Sequence, residues 1–244
     1  MLLVSGHKSD KGLLRENNED AIYVNDKAGV YVLADGMGGH KGGEMASNIA
    51  VNTITKKLCS SLSDRQKNNF QLLHKALQEA NEEIILFRKR DINLANMATT
   101  VVISVRLDEV FYYTHLGDSR AYLYKKEDSL IQLTTDDSLV MEMVKQDMIS
   151  KDELRTHNLR NIVTRYLGTA ELVLPELHHC DTGINDCIIL CSDGLTNMLS
   201  DNEILSILRS NISKGPQNVC DVLVDKANTN GGDDNISVIV IQNK

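Results

Sequence analysis

Apolar and polar positions along this chain alternate at short range, pass into a longer period, and then alternate again. Residues 2–7, 21–25 and 30–35 are short runs rich in β-branched and aromatic side chains, which predicts three strands, with NDKAG at 25–29 as a hairpin loop between the last two. From Gly43 the period is helical. Ala46, Ala50, Ile54, Leu58 and Leu62 fall at steps of four, and Phe70, Leu73, Leu77, Ala80, Ile84 and Phe87 alternate steps of three and four. Each set forms the single apolar stripe of an amphipathic helix. Strands return at 99–106, 110–116, 120–125 and 130–133. Residues 134–170 are polar and helical only in short pieces. Strands at 172–178 and 186–191, helices near 201–209 and 216–228, and a final strand at 236–242 follow. Pro216 suits the first position of its helix. Strands in runs, followed by paired helices and without strand–helix–strand alternation, predict an α+β fold of antiparallel sheets covered by helices.

Composition narrows the function classes. The chain has 244 residues, 42% hydrophobic and 25% charged, ordinary for a globular protein. Length favours one domain over 1–244, and no repeat or Pro-rich linker marks a boundary. Thirty-four acids against 26 Lys and Arg give a net charge of −8, which argues against general nucleic-acid binding and against docking on anionic lipid. The first ten residues have neither the basic start nor the apolar core of a signal peptide, and the apolar runs are too short to cross a bilayer. Five cysteines without a CxxC pair fit a reducing cytoplasm.

One chemical pattern recurs. VYVLAD ends in Asp35 before Gly36, FYYTHLGD ends in Asp118 after Gly117, CIILCSD ends in Asp193 before Gly194, and GGDDNISVIVI places Asp234 just before a strand. Each time an apolar strand fixes a carboxylate at its rim. A lone Asp-Gly is a common turn signal, so each instance alone reads as a turn. Four rims that meet would crowd four like charges, which requires either protonation or divalent cations. All-oxygen donors suit Mg²⁺ or Mn²⁺, and the seven histidines show no zinc spacing. Gly36 would let the chain turn and expose its carbonyl as a further ligand. Upstream, RENNEDA at 15–21 adds Glu19 and Asp20 as acids and Arg15 as a planar fork for an anion.

Taken together, RENNEDA (15–21), VLADGMGGH (32–40), MATTVV (97–102), LGDSRAYLY (116–124), LTTDDSLV (133–140), NIVTRYLG (161–168), ILCSDGLTN (189–197) and GGDDNISVIV (231–240) resemble the metal-dependent Ser/Thr protein phosphatases of the PPM family, also called type 2C, in the compact bacterial form. They stand in family order over nearly the whole chain. The resemblance implies a four-layer α-β-β-α sandwich with a metal cleft at one end. It implies that Asp35 bridges two ions, Mn²⁺ or Mg²⁺, with the Gly36 carbonyl beside it and Asp193 and Asp234 completing the second ion. Asp20 then supports the site, with Glu19 beside it. Asp118 with Asp193 holds a third ion, Arg15 binds phosphate, and Asn235 orients Asp234. The implied activity is hydrolysis of phosphoserine and phosphothreonine in proteins by a metal-bridging hydroxide, with Arg15, Asp35 and Asp193 as the catalytic set. A cognate bacterial Ser/Thr kinase is the implied partner and a cytoplasmic monomer the implied form.

Two departures stand out. Met37 occupies the position where some relatives carry a proposed general-acid His, and His40 does not inherit the role. Asp137 stands where the family pattern LTxDHS has His, at the start of the 134–170 flap. That flap holds Arg155, His157, Arg160 and Arg165, a basic island suited to gating or recognising phosphopeptides. Cys59 and Arg65 match the Cys-x5-Arg spacing of cysteine phosphatases, but the segment lacks the glycines that turn amides toward phosphate. A pseudophosphatase, the same fold used as a binding module, would be expected to have lost metal ligands; Asp35, Asp193 and Asp234 are present.

Overall fold

The computed structural model describes residues 2–39, 41–61, 69–126 and 129–244. In chain order the elements are β1 (Leu3–Asp10), β2 (Asp20–Asn25), β3 (Val30–Met37), α1 (Lys41–Ser61), α2 (Asn69–Arg88), β4 (Ala98–Thr99), β5 (Val101–Leu107), β6 (Val110–Leu116), β7 (Arg120–Lys125), β8 (Ser129–Gln132), α3 (Leu139–Lys145), β9 (His178–Asp181), β10 (Cys187–Cys191), α4 (Asp193–Met198), α5 (Asp201–Asn211), α6 (Pro216–Thr229) and β11 (Ile236–Asn243). One sheet runs β1-β11-β10-β7-β8. The other runs β2-β3-β5-β6-β9, with β4 continuing along the end of β3. Every strand pair is antiparallel.

The side-chain period of two sorts the strands into layers. Tyr31 and Leu33 of β3, Val102 of β5, Ile188 and Leu190 of β10 and Ile239 and Ile241 of β11 meet in the core between the sheets. The alternate residues of the same strands face outward under helices. Val30, Val32 and Ala34 lie beneath α1 and α2; Cys187, Ile189, Cys191, Val238 and Val240 lie beneath α4, α5 and α6. Strands buried on both faces read as unbroken apolar runs, which is why CIILC shows no alternation. The result is the α-β-β-α order. Both predicted helix stripes point inward, with Ala46, Ala50, Ile54, Leu58, Leu73, Leu77, Ala80 and Ile84 buried. Leu62 and His40 lie outside the described residues, as does Arg65 of the Cys-x5-Arg segment. Cys59 sits on α1, against the Tyr23 hydroxyl.

Some boundaries differ from the sequence reading. The predicted strand at 172–178 is confined to its end, since β9 begins at His178. Pro175 has no N–H for a ladder, and the carbonyls just before β9 find side chains instead: Thr114 Oγ1 donates to that of Glu176 at 2.7 Å, and His74 Nε2 meets that of Pro175 at 2.8 Å. The strand expected at 99–106 is split at Thr100, although both pieces keep one register along β3. The six-residue α4 is absent from the periodic reading because it spans less than two turns. The flap carries α3 and one 3-10 turn, Lys151–Glu153. Its stems are tied by the isolated bridges Ser138↔Val163 and Thr99↔Leu167.

Candidate metal centre

Five aspartates gather at one end of the sandwich, drawn from both sheets. Asp20 opens β2 and stands directly opposite Asp35 of β3 in the antiparallel register. Asp118 follows β6 in the turn to β7. Asp193 opens α4 just after β10, and Asp234 precedes β11. A cleft of about 200 Å³ is lined by Arg15, Glu19, Asp35, Gly36, Asp118, Asp193 and Asp234, with Asn161 and Val163 reaching over from the flap. A smaller cavity of about 70 Å³ shares Asp118, Asn161 and Asp193 and adds Arg155 and Arg160. A larger groove of about 830 Å³ between α1 and α2 carries the Lys57–Glu79 ion pair and none of these aspartates.

Each carboxylate is held by its local structure. Asp35 lies inside β3 rather than at its end. Its N–H donates to Thr100 Oγ1 at 3.1 Å, and its carbonyl accepts from Thr99 Oγ1 at 2.8 Å and the Thr100 N–H at 2.9 Å. Gly36 is a strand residue too, paired with Thr99, which corrects the expectation of a turn. Its glycine is required by close approach: a Cβ there would lie 2.2 Å from the Gly43 carbonyl oxygen and 2.6 Å from that of Glu19. Asp193 receives the Asn197 amide on Oδ2 at 3.0 Å. Asp234 receives its neighbour's N–H on Oδ1 at 2.8 Å and Arg15 Nη2 on Oδ2 at 2.7 Å. Asp20 sits beneath the cleft, its Oδ2 bound by Ser192 Oγ at 2.9 Å.

Asn235 does more than orient Asp234. Its side chain donates to the carbonyls of Lys11 and Asn17, at 2.9 and 2.8 Å, and accepts the Glu19 N–H at 2.8 Å. It therefore staples the 11–19 loop, which carries Arg15, to the start of β11. Only its backbone N–H serves Asp234. Ser192, Thr100, Asn197 and the flap residues Asn161 and Val163 were not singled out from sequence. Ser192, Thr100, Asn161, Val163 and Asn197 all fall inside the eight family-like segments, which was the available signal.

The electrostatics point to cations. Like charges directly opposite in an antiparallel ladder are destabilising, yet Asp20 faces Asp35. Burial, reinforced by the neighbouring aspartates, lifts the Asp20 carboxyl to about 7, that of Asp118 to about 8 and that of Asp193 to about 6. Asp35, facing Asp20, Asp193, Asp118 and Asp234, is lifted well above the usual carboxylate range, again chiefly by burial. Among the described residues Asp20 Oδ1 and Asp193 Oδ1, both buried, find no hydrogen-bond partner, and such oxygens are costly unless something positive meets them. The donor set is all oxygen, as hard divalent ions require. Among the described residues no three His, Cys, Asp or Glu side chains close around one point. Arg15 occupies one oxygen of Asp234, and ions that retain several waters need only one or two carboxylates each. The residues fit Mg²⁺ or Mn²⁺. Cys191, next to Ser192, has its thiol pushed up to about 12 by burial and is no nucleophile.

The chain is similar to known proteins along nearly its whole length. Residues 14–217 match the family described as Protein phosphatase 2C. The chain is 36% identical over 241 residues to the serine/threonine phosphatase stp of Listeria innocua, covering 96% of this chain and 94% of that protein. The crystal structure of the serine/threonine phosphatase PstP/Ppp of Mycobacterium tuberculosis aligns at 31% identity with a TM-score of 0.89, covering both chains fully. A PstP catalytic domain in complex with two manganese ions aligns at 30% identity and a TM-score of 0.85, covering 99% of this chain and 98% of that one.

Proposed function

This chain belongs to the protein phosphatase 2C family of metal-dependent protein Ser/Thr phosphatases, and from that membership we propose that the aspartate-lined cleft is its hydrolytic centre. The carrying observation is the pair of buried, unpartnered oxygens of Asp20 and Asp193 within one constellation of five aspartates. Asp35, the Gly36 carbonyl, Asp193 and Asp234 would hold two divalent cations, Asp20 and Glu19 would support them, and Asp118 with Asp193 would hold a third. Mn²⁺ is the better-supported ion, since a relative's structure is described with two of them, and Mg²⁺ suits the same donors. Bound there, the cations supply positive charge for the phosphoryl group and make water acidic near neutral pH.

The protein's own residues do the placing. The ladder and Thr100 fix Asp35. Asn197 turns Asp193 into the cleft. Arg15, half-exposed at the rim and paired with Asp234 in this structure, would turn its guanidinium fork to a phosphate, the geometry in which two parallel N–H···O bonds form. Asn235 holds the loop that presents it. Met37 leaves the cleft without a histidine at that position, so no side chain there is assigned as general acid. The flap residues Asn161 and Val163 close one side and restrict water. Residues 1–244 form one catalytic domain with the flap as a subdomain.

Phosphorylated Ser/Thr proteins are the substrates, and the enzyme reverses a cognate kinase. We place it in the cytoplasm as a monomer; all five cysteines are unpaired, which fits a reducing compartment. The test is hydrolysis of p-nitrophenyl phosphate and a phosphothreonine peptide with EDTA, Mg²⁺ or Mn²⁺, beside Asp193→Ala. Turnover that needs the metal and is lost in Asp193→Ala supports the assignment. Turnover that survives EDTA or the substitution removes it.

A further inference from the structure

We propose that Asp137 is a positioning residue: with Arg165 it fastens both stems of the flap to the turn that carries Asp118, so that flap and turn move as one body. The catalytic consequence rests on the reading of the cleft given above; the mechanical claim does not.

Asp137 meets the β6–β7 turn twice. Its Oδ2 accepts the Gly117 N–H at 3.2 Å, and its own N–H donates to the Gly117 carbonyl at 2.9 Å. It meets the returning flap stem twice as well. Its Oδ1 accepts Arg165 Nη1 at 3.2 Å, and its carbonyl accepts the Thr164 N–H at 2.8 Å. Arg165 Nη2 continues to the Val173 carbonyl at 3.1 Å, tying in the segment beyond the flap. His115 Nε2 from β6 stands 3.9 Å from the same carboxylate and 2.8 Å from the Thr135 carbonyl. One residue thus joins three stretches of chain that have no regular ladder between them.

The carboxylate is only 13% exposed, so solvent screens the pair far less than an open surface pair. Removing one partner of a charge-assisted, mostly buried bond leaves the other group unsatisfied. The turn is stiff on its far side. Gly117 has φ +109°, and a Cβ there would sit 2.6 Å from Thr100 Cγ2, so it packs directly on Thr100, whose hydroxyl and N–H bond the Asp35 backbone. Asp118, the next residue, lines both the cleft and the smaller cavity together with Asn161 of the flap. Loosening Asp137 therefore frees Asn161 and Val163 to leave the cleft and releases the turn below them. The adjacent Asp136 is different: it makes a two-pronged pair with Arg120 at 2.8 and 2.7 Å, anchoring the first stem to β7 without touching the second.

The test is amide hydrogen exchange on the full chain, with steady-state kinetics, for Asp137→Ala, Arg165→Met and the double variant. In Asp137→Ala, amides at 117–119 and at 138–164 exchange at least tenfold faster together, while those of β10 and β11 are unchanged. With Mn²⁺, kcat/KM for a phosphothreonine peptide falls at least fivefold more than for p-nitrophenyl phosphate, through KM. The double variant loses no more than the worse single one. In Asp137→Ala, faster exchange in the flap alone overturns the single-body claim. Unchanged exchange overturns the clamp, and equal loss for both substrates with faster exchange everywhere reduces Asp137 to a general structural residue. Should Asp137→Ala fail to fold, Arg165→Met, which keeps the Asp137–Gly117 contacts, carries the same exchange prediction for the flap. If the unaltered protein hydrolyses neither substrate, the phosphatase reading of the cleft fails and the exchange result alone decides the clamp.

Discussion

Replacing Gly194 by alanine tests whether the spacing of Asp193 and Asp234, at the rim of one sheet, sets activity. Gly194 is the second residue of α4, buried, directly after Asp193. A Cβ there would lie 2.0 Å from the Asn235 carbonyl oxygen, 2.9 Å from its carbon and 3.4 Å from Asp234 Cβ. Contacts below 3.0 Å do not persist, so α4 and the start of β11 must part by at least about 1 Å, and the obstacle is backbone, which cannot swing aside as a side chain would. Overpacking of this kind costs roughly 1–3 kcal/mol, which at this chain length lowers Tm by about 2–4 °C per kcal/mol. The larger effect is on chemistry, because the separation falls between Asp193 and Asp234. A displacement of about 1 Å at a reacting centre costs on the order of 100-fold. The assay is kcat/KM for Mn²⁺-dependent p-nitrophenyl phosphate hydrolysis, alongside a thermal melt. A folded variant with a modestly lower Tm and a loss near 100-fold is expected. Activity within threefold of the unaltered protein would refute the argument that this contact spaces the ligands.

Mn²⁺ is expected to raise the Tm of the unaltered protein, since a ligand at 100 times its Kd stabilises by about 2.7 kcal/mol. Asp193→Ala should lose most of that rise in a calorimetric scan. Ser192→Ala removes the hydroxyl that donates to Asp20 Oδ2 and accepts the buried Ser237 N–H at 2.9 Å; a loss of about 1–3 kcal/mol should appear as a lower urea midpoint at unchanged slope. Asp186 gives the acid-side test. Burial alone would lift its carboxyl, but the N–H groups of Lys126 and Gly183 and the Lys125 ammonium outweigh it and hold it below the usual range. A depressed folded value contributes stability above the unfolded value of about 3.9 and loses it as pH falls through the folded one. Asp186→Asn should therefore be less stable than the unaltered protein at pH 7, with the gap closing below about pH 4; a gap independent of pH in urea melts would contradict this.

The strands and both long helices were legible because burial on a fixed face imposes a period, and the rim aspartates were legible because apolar runs stop at them. What escaped was non-periodic. Six residues of α4 carry too little pattern to register, and Pro175 cut short a strand whose leucines still pack inward under the helices. Gly36 and Gly194 read as turn glycines, yet both sit in regular elements and are glycine because another backbone passes within van der Waals distance. Nothing local in sequence reports such an approach. Asn235 read as an aid to Asp234, whereas its side chain serves three groups more than 200 positions away. The order of the four layers came from family resemblance rather than from the pattern itself.

That distribution has a physical cause in how the site is divided. Asp20 and Asp35 belong to one sheet, Asp118 sits in the connection that crosses from that sheet to the other, and Asp193 and Asp234 flank strands of the other. No single element holds the constellation, so its geometry depends on how the two sheets are stacked. Side chains cross the gap at the cleft, among them Ser192 to Asp20 and Asn235 to the backbone of Glu19. Behind them, Tyr31, Leu33, Ile188, Leu190, Ile239 and Ile241 set the sheet separation through close packing. Carboxylates that repel one another push the rims apart, and this apolar core holds them together. Large-to-small changes in that core, such as Leu190→Ala, remove roughly 2–5 kcal/mol from the same contacts that keep the aspartates within reach of one another. Such variants should therefore lose Mn²⁺ affinity along with stability, although Leu190 does not line the cleft. Calorimetric Mn²⁺ titration of folded Leu190→Ala at low temperature separates the two effects: unchanged affinity would mean that the rim bonds alone hold the site.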